Sequence, residues 1–193
     1  MESGNITQLS DDNLNGGFKQ AIFSENDDEI IIITNEGKDF SGIARLNLKS
    51  NKLSYIYSED HEMEFFKMDS ENHRVIFYIN DRGYSKLGIL NLLNNDSKIL
   101  DNPHEVTFME PTYGWGASVL DESNILLTIN STNQNGEIIK FNLDTQKYEF
   151  FKKTYEGDIQ LNNLPKPTLH SFKTFDDRDI PFFFLKPNNF KQG

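Results

Sequence analysis

Cysteine is absent from this 193-residue chain, so disulfides and thiolate metal sites are excluded and the redox compartment leaves no mark. Alanine occurs only three times, and no stretch repeats its apolar residues at a helical period. Proline is missing from the first 102 residues. No apolar run approaches a membrane span; the longest are EIIIIT at 29–34 and IPFFFL at 180–185. The opening MESGNITQLSDD is acidic and polar, the reverse of a signal peptide. Positive charge is scarce: 19 Lys+Arg stand against 30 Asp+Glu, for a net charge of −11. Such a chain repels a phosphate backbone. These absences together predict a soluble, cytoplasmic protein with neither nucleic acid nor membrane as its partner.

What is present points to strands. Aromatic residues make up 12%, with 16 Phe and 7 Tyr, which argues for a packed core rather than disorder. The length suffices for one or two domains. Asparagine occurs 22 times. Short β-branched and aromatic runs alternate with Asn, Asp, Ser and Gly, the pattern of strands separated by turns.

Those runs repeat. A first unit spans about 18–60: FKQAIFS, a turn at ENDDE, IIIITNEG, GIARLNL, a turn at KSNK, and LSYIYSED. A second, about 61–104, reads MEFFKMD, SENHR, VIFYINDRG, LGILNL, LNNDS and KILDN. A third, about 105–157, gives YGWGASVLD, ESN, ILLTINSTNQNG, EIIKFNL, DTQK and YEFFKK. Ile30, Val75 and Ile125 open the second strand of each unit, and Asn35, Asn80 and Asn130 follow five residues later. Asn47, Asn91 and Asn142 each precede a leucine: Leu48, Leu92 and Leu143. Four strands repeating every 40–50 residues or so is the pattern of β-propeller blades. The tight turns make each blade an antiparallel meander. The fold expected is therefore all-β: a partial β-propeller of about three four-stranded antiparallel blades, plus a C-terminal β-hairpin. The recurrent Asn residues are read as turn formers.

Composition changes near the end. Pro165, Pro167, Pro181 and Pro187 crowd into the last 30 residues. The propeller portion is thus placed at 1–157, and 158–193 is read as a linker with the first strands of another domain. Within that segment, TLHSFKTF, a turn at DDRD and IPFFFLKP make one more hairpin, with Pro181 favouring a sheet edge.

No catalytic constellation can be assembled. The nucleophile elbow G-x-S-x-G is missing; Ser85 in GYSKL and Ser118 in GASVL are near misses without the closing glycine. His61 and His104 each begin an H-E pair but lack the second histidine of a zinc motif. His73 and His170 are scattered, and read as surface or core residues. Asp27–Asp28 and Asp176–Asp177 are adjacent turn residues rather than a hydrolytic pair. The acidic turns lack calcium-loop spacing. Trp115, between two glycines, reads as a blade-packing aromatic. No catalytic, cofactor or metal residue is assigned, and no cofactor is expected.

The blade pattern resembles the propeller of the prolyl oligopeptidase family of serine peptidases, nearer its acylaminoacyl peptidase and dipeptidyl peptidase branch. The segment 168–187, TLHSFKTFDDRDIPFFFLKP, looks like the crossing into that family's α/β-hydrolase domain. Its acidic turn is Asp176-Asp177-Arg178-Asp179, without the family's usual glycine. The resemblance implies a non-catalytic propeller fragment that gates substrate and forms an interface. Any catalytic triad would lie downstream of this chain, and peptide would be the substrate of the parent enzyme. An open arc of blades leaves sheet faces bare, so self-association, or docking onto the missing hydrolase portion, is expected. The alternative is a stand-alone propeller-like module that binds a protein or peptide.

Overall fold

The structure, a computed structural model, describes residues 4, 6, 8–9, 16–25, 27–69, 71, 73–101, 106–108, 116–154, 157–158 and 160–191. Among these residues the chain forms fifteen β-strands and one 3-10 turn, Leu161–Asn163, with no α-helix. The all-β expectation is borne out.

The strands fall into successive antiparallel meanders. The first sheet runs β1 (Phe18–Phe23), β2 (Glu29–Thr34), β3 (Gly42–Asn47) and β4 (Lys52–Tyr57), in that order. The second runs β5 (Glu62–Asp69), β6 (Arg74–Asp81), β7 (Tyr84–Asn91) and β8 (Ser97–Ile99). In the third, a two-residue strand β9 (Thr107–Phe108) pairs with β11 beside the path β10 (Ser118–Val119), β11 (Asn124–Ser131), β12 (Gln134–Asn142) and β13 (Tyr148–Lys152). A two-stranded sheet, β14 (Thr168–Lys173) and β15 (Asp179–Phe184), stands apart in sequence. This is the partial propeller plus hairpin that the repeats predict. The chain divides into two compact units, one of Met1–Ile79 with Gly88–Lys98, the other of Asn80–Leu87 with Ile99–Gly193.

In the first unit the β-branched runs explain themselves by burial. Every residue of Ile30–Thr34 and of Val75–Ile79 is buried, so β2 and β6 are covered on both faces. Strands covered on both faces read as continuous apolar runs, and isoleucine and valine fit that pleated, packed surface. Ile30, Ile32 and Ala44 form one face, on which Leu9, Leu48, Leu53 and Tyr55 pack. Ile31, Ile33 and Ile43 lie on the other and are almost wholly enclosed. The run EIIIIT, an aggregation hazard if bare, is therefore internal. The first two sheets are joined by polar ties. The Gln20 amide brackets the Phe66 backbone, donating to its carbonyl at 2.5 Å and accepting from its N–H at 3.1 Å. The Ser41 amide donates to Glu62 at 3.0 Å, and its hydroxyl to the Met63 carbonyl at 3.2 Å. Between these ties the Tyr57 and Phe77 rings meet at 4.4 Å.

In the second unit, β11 behaves differently. Ile125, Leu127 and Ile129 are buried, while the residues between them are only partly covered. That alternation marks a sheet with one enclosed face.

The same turn closes three sheets. Asn47, Asn91 and Asn142 each use the side-chain oxygen to accept backbone N–H groups two or three residues on: from Lys49 and Ser50, from Leu93 and Asn94, and from Thr145. A residue with left-handed backbone follows each time: Asn51, Asn95 and Gln146, with φ of 53°, 61° and 55°. The leucine after each asparagine donates at 2.8 Å to a carbonyl just ahead of the second strand: Leu48 to Asp28, Leu92 to His73, Leu143 to Ser123. The leading asparagines thus do what their chemistry suggests, building turns from side-chain acceptors. Asn80 and Asn130 act likewise, accepting from Gly83 and Gly136, whereas Asn35 accepts from the distant Gly17 ahead of β1.

Candidate functional site

The residues singled out by chemistry do not converge. Ser85 is buried in β7, its amide bound to the Val106 carbonyl at 2.9 Å. Ser118 opens β10, and neither serine stands at a strand-to-helix elbow. His61 precedes β5. His73 has φ of 47° and pairs with Glu25 at 2.8 Å. Asp28 pairs with Lys49 at 2.5 Å, and Asp176 with Arg178 at 3.0 Å. His104 and Trp115 lie outside the described residues. Among the described residues no group of three or more His, Asp or Glu side chains could hold a metal ion. Also among them, no helix is long and apolar enough to cross a membrane.

The hairpin β14–β15 carries a dense run of exposed apolar side chains. Its register pairs Thr168 with Phe184, His170 with Phe182, and Phe172 with Ile180. Alternation puts these six side chains on one face. His170 stacks on Phe182 at 5.7 Å and meets Phe184 edge-on at 5.9 Å; Phe172 touches Phe182 at 5.9 Å. Phe183 points the other way, against Tyr84. Yet Phe182, Phe183 and Phe184 remain 40, 45 and 46% exposed, and Phe172 52%. A two-stranded hairpin with rings on both faces is marginal in water unless something covers it. Its turn is well made. Thr174 and Arg178 bond three times, and Asp177 takes φ of 60°, in the left-handed region. Aspartate is among the few side chains that tolerate it.

Sequence reasoning missed a second feature, a cleft of about 450 Å³ inside the second unit. The β11–β12 turn forms one wall with Ser131, Asn133 and Gln134; Tyr148, Lys166 and Phe183 contribute others. The Ser131 hydroxyl lies 2.8 Å from the Asn133 side-chain oxygen and 3.1 Å from that of Gln134. Asn133 in turn donates to Asn162 at 3.3 Å. Among the described residues no aspartate or glutamate lines the cleft. No local pattern announces it, because its residues come from six separate stretches of chain.

No family model matches the sequence, and no curated protein matches it. Solved structures do match, and they define the class: the fold is that of the β-propeller part of prolyl oligopeptidase-like peptidases. A prolyl endopeptidase aligns over 95% of this chain and 26% of its own, with a TM-score of 0.69 and 12% identity. A puromycin-hydrolyzing peptidase from Mycobacterium tuberculosis aligns over 87% of this chain and 26% of its own, at 0.67 and 11%. Prolyl oligopeptidase B from Galerina marginata aligns over 87% and 23%, at 0.64 and 13%. The chain thus spans about a quarter of the length of the solved structures it matches. The resemblance read from the blade repeats is borne out at the level of fold.

Proposed function

We propose that this chain is the non-catalytic propeller portion of a prolyl oligopeptidase-like serine peptidase. In this role it gates peptide access and seats a hydrolase domain that carries the chemistry. The observation that carries this reading is the hairpin β14–β15. It follows three propeller-like sheets, it is aromatic on both faces, and it stays largely exposed. The matched peptidases have three quarters of their length beyond the part that aligns, which supplies a natural cover. A hydrolase sheet continuing from β15 would bury the rings and pair the open strand edges. Without it, the same surface drives self-association.

The test uses source cells. A lysate is labelled with a fluorophosphonate probe for active serine hydrolases, then blotted with an antibody raised against this chain. One labelled band well above 22.3 kDa that the antibody also recognises is the expected result. A single unlabelled band at 22.3 kDa would overturn it and favour a stand-alone peptide-binding module.

A further inference from the structure

We infer that the cleft of the second unit binds the free C-terminal carboxylate of a peptide, with Lys166 as its counter-charge. The inference concerns this chain's own residues and does not depend on a hydrolase partner. Its volume of about 450 Å³ lies within the usual range for small-ligand pockets, roughly 300–1,000 Å³. Its electrostatics run against those of the chain. The protein carries a net charge of −11, yet among the described residues no carboxylate lines the cleft and one ammonium does. An anion repelled by the surface at large is tolerated here.

Lys166 is exposed and has no hydrogen-bond or ion-pair partner among the described residues. Pro167, next in the chain and also lining the cleft, fixes its own φ and restricts Lys166 to extended backbone. The Lys166 backbone is therefore restrained at the rim, and the charge of its ammonium is uncommitted. The remaining lining suits a peptide better than a bare inorganic anion. Asn133, Gln134 and Ser131 offer both donors and acceptors, the complement of a peptide's C=O and N–H groups. Tyr84, Tyr148 and Phe183 offer ring surface for an apolar side chain. A charged hydrogen bond to a carboxylate is stronger than one to a neutral amide, so the terminus sets the affinity.

The test titrates the purified chain at low ionic strength, by calorimetry, with a tetrapeptide ending in Phe, as the free acid and as the C-terminal amide. The free acid is expected to bind, and the amide about tenfold more weakly or worse. Lys166→Gln removes that difference and Lys166→Arg keeps it, with the melting temperature unchanged in both because the side chain is exposed. Equal binding of the two peptides overturns the inference. So does no binding of either, or a preference for the acid that survives Lys166→Gln.

Discussion

The ring of Phe183 stands edge-on to that of Tyr84, centroids 5.0 Å apart, and occupies the space above Gly83. A Cβ at Gly83 would lie 2.7 Å from the Phe183 ring. Gly83 also has φ of 97°, a backbone conformation that side chains rarely adopt. One glycine thus serves two ends: it closes the β6–β7 hairpin, and it lets β15 rest on that hairpin's tip.

Gly83→Ala is therefore expected to cost about 1–3 kcal/mol, partly as backbone strain and partly as displacement of Phe183. The displacement has its own readout. Amide hydrogen exchange along Asp179–Phe184 should quicken in the variant relative to β2, which lies in the other unit. Unchanged protection of β15 would mean that Phe183 does not hold the hairpin in place.

A second glycine makes a prediction of pure packing. Gly88 in β7 leaves its Cβ space to the ring of Phe77, whose nearest atom would be 2.3 Å away. Phe77 is fully buried. Gly88→Ala should destabilise by about 1–3 kcal/mol through overpacking. Phe77→Leu alone should also destabilise, by leaving a cavity. Combined, the two changes compensate, so the double variant should be more stable than the sum of the singles allows. Additive losses in denaturant melts would sink this account.

The fold was legible where its determinants are local. Ile30–Ile33 and Val75–Ile79 announce buried strands by composition alone, and the Asn-Leu pairs announce turns because the side-chain oxygen needs only its own backbone. Distant pairings were not legible. Gln20 reads as an exposed polar residue until β5 brings the Phe66 backbone to it. Lys166, Tyr84 and Ser131 share a cleft only because topology gathers them. Asp177 takes the left-handed conformation as an aspartate, so no glycine marks that turn in the sequence.

The repeated turns allow a graded test. Asn47→Ala, Asn91→Ala and Asn142→Ala each delete a side-chain acceptor that serves two or three donors near the surface. Each should cost about 0.5–1.5 kcal/mol, the ordinary value of a hydrogen bond. Replacement by aspartate keeps the acceptor and should recover most of the loss. Thermal melts of the six variants decide. If aspartate is no better than alanine, the asparagines act by something other than accepting these bonds.

Glu62 gives a prediction in pH. Burial by itself pushes the Glu62 carboxyl up, but the Lys19 ammonium, and then the amide and hydroxyl of Ser41, outweigh it. The net result holds the carboxyl below its ordinary value of 4.5. A folded-state value below the unfolded one means that the unfolded chain takes up the proton first. The stabilisation is then whole above about pH 4.5 and fades as the pH falls through the folded-state value. Glu62→Gln lacks this dependence at position 62. The stability gap between wild type and Glu62→Gln should be constant from pH 7 to about 5.5 and narrow below pH 4.5. Lys19→Met, which removes the leading counter-charge, should shrink the gap at neutral pH, and added salt should do the same because the Lys19–Glu62 pair is substantially exposed. A gap that widens on acidification would show that Glu62 is held by burial rather than by its partners.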